Sequence, residues 1–153
     1  MLITALSALF VSGWAGRFAS AQQPVPPHDP RTLAAFLDVL LPDDGVTPAA
    51  SALGVPGGIE DIAGDVEPLR RLIALACDWL DQVADAPFHV LADADKQAIV
   101  AWMSTADYNE IPRRFYHLTR QLAVELAYSH ATGVAGLPLA AAPQPMGYPP
   151  PWG

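Results

Sequence analysis

Apolar positions recur along this chain at helical spacing. Leu33, Phe36, Leu37, Leu40 and Leu41 fall at i, i+3, i+4, i+7 and i+8, which makes one apolar stripe of a helix. Asp29 is a suitable cap for it, with Pro30 at the first helical position, where a missing N–H costs nothing. Pro42 stops it, because the residue before a proline is pushed out of the α region. Thr47 and Pro48 predict a short second helix, Ala49 to Leu53, ended by Gly54. Gly57-Gly58 reads as a flexible joint, and Ile59 to Ala63 as another helical turn. Asp65 is the expected cap of the next long helix, with Pro68 in its first turn. Its buried stripe is Leu69, Leu72, Ile73, Ala76, Leu80 and Val83. Cys77 lies within that face, and Trp79 broadens it.

Ala86-Pro87 closes that helix. Asp93 is the expected cap for Ala94 to Thr105, with Ile99, Trp102 and Met103 facing inward. Asp107 and Glu110 have capping-box spacing, but a start there leaves Pro112 past the first turn, where it breaks a hydrogen bond. Asn109 is therefore the expected cap. Ile111, Phe115, Leu118, Leu122 and Leu126 then line one face through about Ser129. No segment alternates convincingly as a strand. The expected fold is all-α: a small helical domain of about four main helices over residues 29–132, with an extended Pro-rich tail over 133–153.

Composition sharpens this picture at the ends. With 52% apolar and 16% charged residues in 153, one packed domain is expected. Leu2 to Ala15 is apolar or small, and Ala19-Ser20-Ala21 has the A-x-A form of an export cleavage site. Residues 1–21 are thus expected to be an export signal, although no Lys or Arg precedes Arg17. The competing expectation is a helix that packs on a partner. Residues 22–28, QQPVPPH, form a Pro-rich spacer. The tail holds six prolines after Gly136, together with Tyr148 and Trp152. It is either a disordered end or an arm that docks on a partner, with proline lowering the ordering cost and aromatics as anchors.

Charge and chemistry then exclude several classes. The chain carries 8 Lys+Arg against 16 Asp+Glu, a formal −8. That disfavours nonspecific binding to nucleic acid and leaves no basic patch for anionic lipid. One cysteine allows neither an internal disulfide nor a multi-cysteine metal site, and a core position suits it better than a reactive one. The four histidines, His28, His89, His117 and His130, lack the i, i+4 spacing of a helical zinc site. No G-x-G-x-x-G, G-x-S-x-G or C-x-x-C-H occurs. Asp43-Asp44-Gly45 reads as a turn, not as a calcium loop. No catalytic, cofactor-binding or metal-ligating residue is assigned. One asymmetry remains: from Ile111 onward there are Arg113, Arg114 and Arg120 but a single acid, Glu125. A solvated helix face and a partner-binding face both accommodate it. The residues expected to meet a partner are Arg113, Arg114, Pro138, Pro145, Tyr148 and Trp152.

Three stretches carry a family resemblance: LLPDDGVTPAASALGVPGGIED from Leu40 to Asp61, FHVLADADKQAIVAWM from Phe88 to Met103, and Phe115-Tyr116 through Tyr128-Ser129 with Met146-Gly147-Tyr148-Pro149 beyond. Together they resemble subunit 3 of gluconate 2-dehydrogenase, the small subunit of membrane-bound FAD-dependent sugar and alcohol dehydrogenases. The chain departs from that pattern at Ala140-Ala141-Ala142 and at Glu125. The resemblance implies a noncatalytic periplasmic subunit. Its partner would be a large FAD-containing catalytic subunit of the glucose-methanol-choline (GMC) type, whose folding and export it assists. A multihaem cytochrome c subunit would carry electrons onward. Any membrane association would then come through the complex, with FAD and haem c in the other subunits and no cofactor in this chain. The alternative from another class is a stand-alone secreted helical protein that binds a small ligand or metal.

Overall fold

A computed structural model describes residues 24–135. Those residues form six α-helices and one 3-10 turn, with no strand among them. The helices are α1 (Pro30–Leu40), α2 (Val55–Asp65), α3 (Glu67–Gln82), α4 (Asp93–Thr105), α5 (Ile111–Ser129) and the short α6 (Ala131–Val134). The 3-10 turn, Phe88–Val90, lies between α3 and α4. Helices α1 and α5 each pack against all the other long helices, so they form the centre of the bundle. The all-α expectation is met. The export-like segment and the tail anchors Pro138, Pro145, Tyr148 and Trp152 lie outside the described residues.

Helix α1 begins as its sequence dictates. The Asp29 carboxylate accepts the Arg31 backbone N–H at 2.9 Å and also grips the Arg31 guanidinium, the shortest contact being 2.6 Å. Those bonds to Arg31, side chain first and backbone second, hold the Asp29 carboxyl down at about 2. The helix buries Thr32, Leu33, Phe36 and Leu37. Phe36 meets Phe115 of α5 at a ring separation of 4.8 Å and Phe88 of the 3-10 turn at 6.5 Å. Apolar burial of this kind stabilises the fold by roughly 1.5–3 kcal/mol per large side chain.

Between α1 and α2 the chain departs from expectation. No helix forms over 49–53; residues 45–47 bend and 50–54 turn. The cause is local: the Asp44 carboxylate accepts N–H groups from Val46 (2.9 Å) and Thr47 (2.6 Å), which also hold its pKa low. Thr47 is thus tied back toward Asp44 and caps nothing. Asp38 then pins the far side of the loop by accepting both the N–H and the hydroxyl of Ser51, each at 2.8 Å. Gly54, at φ 73°, leads directly into α2.

Gly57-Gly58 is not a joint. Both residues lie inside α2, and the reason is packing. A Cβ added at Gly58 would stand 3.1 Å from Leu126 Cδ1, so α5 approaches the α2 backbone closely there. Three expected caps also shift. Asp65 is the last residue of α2, and the break falls at Val66, which makes no side-chain cap bond. Asp93 lies inside α4 after Ala92, where its charge favours the helix N-terminus. The cap position of α5 is Glu110, not Asn109; the Asp107 side chain accepts the Asn109 N–H at 2.8 Å and forms the turn before it. Pro112 does fall in the first turn of α5.

A polar node closes the opposite end of the core. The fully buried Thr32 hydroxyl donates to Asp81 at 2.7 Å, and the Phe88 N–H donates to the same carboxylate oxygen at 2.9 Å. One carboxylate therefore joins α1, α3 and the 3-10 turn. Nearby, Trp79 of α3 and Trp102 of α4 stack at 5.7 Å.

Candidate partner-binding face

Helix α5 has two unlike faces. Its inward face buries Pro112, Phe115, Thr119, Ala123 and Ala127. The Thr119 hydroxyl is satisfied by donating to the Phe115 carbonyl at 2.6 Å. Ile111, Leu122 and Leu126 flank that stripe, partly buried. Leu118, expected in the core, is instead 38% exposed. Its place is taken by the small residues of the inward stripe, which allow the neighbouring helices to come close.

The outward face presents Arg113, Arg114, His117, Leu118, Arg120, Val124 and Tyr128. Arg113, His117, Arg120 and Val124 share one line by i+4, i+7 and i+11 spacing. The face borders an open groove of about 780 Å³, bounded by Leu72 of α3 and by Tyr108 in the loop before α5. Tyr108 is 70% exposed and its ring lies 6.2 Å from that of His117; Tyr116 meets the other side of His117 edge-on at 5.4 Å. Tyr128 is also exposed.

The arginines on this face have no carboxylate partner among the described residues. Elsewhere in the described residues Arg31 pairs with Asp29, Arg71 with Glu67 and Lys96 with Asp93. None of Arg113, Arg114 and Arg120 forms an ion pair among the described residues. The Nε of Arg113 is shut away from solvent and finds no acceptor there. The acid at the groove, Glu125, accepts a bond from Gln121 at 3.2 Å.

A second groove, of about 550 Å³, lies between α1, the 42–51 loop and α4. Its charged and polar groups are occupied with one another: Asp38 with Ser51, Lys96 with Asp93, and Arg31 with Asp29. Among the described residues no three His, Cys, Asp or Glu side chains are grouped to hold a metal ion. His28 bonds Glu60 at 2.7 Å and ties the segment before α1 to α2. Cys77 is fully buried, and burial pushes its thiol far above the usual range, which removes the thiolate needed for reactivity. No helix among the described residues is long and apolar enough to cross a membrane.

Of the residues expected to meet a partner, the structure places Arg113 and Arg114 on the outward face of α5. Arg120, His117, Leu118 and Tyr108 join them only through folding. Their signal in the sequence was the shortage of acids after Ile111; nothing in it marked Tyr108 or Leu118 as groove residues.

Comparison with known proteins agrees with the resemblance in the sequence. The family described as Gluconate 2-dehydrogenase subunit 3 matches residues 27–149, most of the chain. The comparison with curated proteins gave no match, and the comparison with solved structures gave none either.

Proposed function

Because the chain belongs to the gluconate 2-dehydrogenase subunit 3 family, we propose that it is the noncatalytic small subunit of an FAD-dependent dehydrogenase complex. The family match over residues 27–149 carries this reading. In it, the flavin and the substrate pocket belong to a large GMC-type catalytic subunit, and this chain assists that subunit's folding, export and stability. A cytochrome c subunit takes the electrons onward. The complex works in the periplasm, and residues 1–21 supply the export signal; the Ala19-Ser20-Ala21 pattern supports that part. An inert, buried cysteine and an outward helix face whose arginines form no ion pair among the described residues suit a subunit whose work is binding.

Co-expression tests the reading. A candidate GMC-type flavoprotein is produced with and without this chain, and periplasmic extracts are separated by size while flavin absorbance is followed. Co-elution of the chain with flavin, and loss of soluble flavoprotein when the chain is omitted, is the expected result. A colourless monomer that leaves the flavoprotein fully active would overturn it and favour a stand-alone binding protein.

A further inference from the structure

We propose that the outward face of α5, with the groove it forms against α3, seats an acidic segment of the catalytic subunit. This inference rests on the accessory-subunit reading and adds to it the docking surface and the chemistry of what docks.

Two observations converge on that face. First, charge is segregated. The chain has a formal −8, yet Arg113, Arg114 and Arg120 cluster where no carboxylate of the described residues pairs with them. Three of the four cations that precede them in the described residues do have a carboxylate partner; Arg70 is the exception, reaching the Gly64 carbonyl. Second, the cations alternate with exposed apolar groups, namely Tyr108, Leu118 and Tyr128. Arginine and tyrosine are the residue types that dominate the energetics of protein interfaces.

Charge complementarity selects the occupant. The chain's own segment 136–153 contains no Asp or Glu, so apart from its terminal carboxylate it brings nothing to neutralise three arginines. A second copy docked by two-fold symmetry brings six arginines of the two faces together with only the two Glu125 carboxylates, an excess of positive charge. A different chain carrying at least two carboxylates beside an apolar side chain satisfies the whole face. The carboxylates meet Arg114 and Arg120, and the apolar group lies between Leu72 and Leu118. The shortage of acids on α5 thereby leaves the face open to a carboxylate from outside.

The test measures affinity between the full-length chain and the purified flavoprotein. Three forms are compared: wild type, Arg114→Glu with Arg120→Glu, and Lys96→Glu in the other groove. Melting curves establish that each is folded. Reversing two interfacial charges is expected to weaken binding roughly a hundredfold, and Lys96→Glu to leave it within about twofold. Added salt should weaken wild-type binding and largely spare what remains in the double variant. Double-variant binding equal to wild type would sink the proposal and leave the accessory-subunit reading standing. Failure of the wild type itself to bind would end both. Two measurements on the isolated chain identify the other occupants. If deleting 136–153 speeds amide exchange over 108–125, the tail covers the groove. If a dimer is dissolved by the double variant, a second copy does. Either result overturns the proposal.

Discussion

The two grooves of this bundle hold similar kinds of side chain in opposite states. Beside α1 and α4, Asp29, Asp38 and Asp93 are each engaged by Arg31, Ser51 and Lys96. Beside α5 the arginines have no such partners among the described residues, and the carboxylate of Glu125 faces Gln121. Groups already bonded to each other must be prised apart before they can bind anything else, whereas unpaired ones need only shed water. On the docking proposal, the first groove serves the stability of the fold and the second recognition.

The division is sharpest where both grooves rest on one core. Phe36 and Phe115 meet in that core with tilted rings, so Phe36→Ala and Phe115→Ala should each lower unfolding stability by about 3–5 kcal/mol in urea melts. A loss under about 1 kcal/mol for either would show that the halves do not share a core. A smaller effect separates the grooves themselves. Asp38→Ala frees two donors of Ser51 and should cost about 1–2 kcal/mol, while Arg114→Gln with Arg120→Gln should stay within about 0.5 kcal/mol. If the arginine pair proves the costlier, the assignment of roles is reversed. The smallest effect is in acid. The folded Asp29 carboxyl titrates near 2 instead of 3.8, so its contribution is complete above the higher value and disappears as pH falls through the lower. Asp29→Asn should therefore flatten the stability profile across that window, read from melting temperature against pH. A profile that keeps its slope would mean that the Arg31 pair, which is exposed, contributes nothing.

Much of this architecture was legible beforehand. The 3.6-residue apolar period located α1, α3, α4 and α5, and the prolines expected in the first turns of α1, α3 and α5 lie there, whereas Pro48 opens no helix. What escaped were features set by partners distant in sequence. Gly57-Gly58 reads as a break by propensity alone, and only the approach of Leu126 explains its helical state. Thr47 has the chemistry of a cap, but Asp44, three residues earlier, takes its N–H. Leu118 follows the apolar period, yet Thr119 and Ala123 hold the buried positions, because small side chains let helices approach where a leucine would hold them apart. Of the candidate face, the arginines were visible as a local charge imbalance. Tyr108 and Leu72 were not, since only the fold brings them to the same groove.

The contact at Gly58 has a bearing on how this protein could be re-engineered. There α5 is clamped on its inner side with no room for even a methyl group unless Leu126 gives way. The clamp fixes the helix without help from any residue on the outer side. The outer side is thus a surface that can be rewritten, residue by residue, while the scaffold beneath it stays the same.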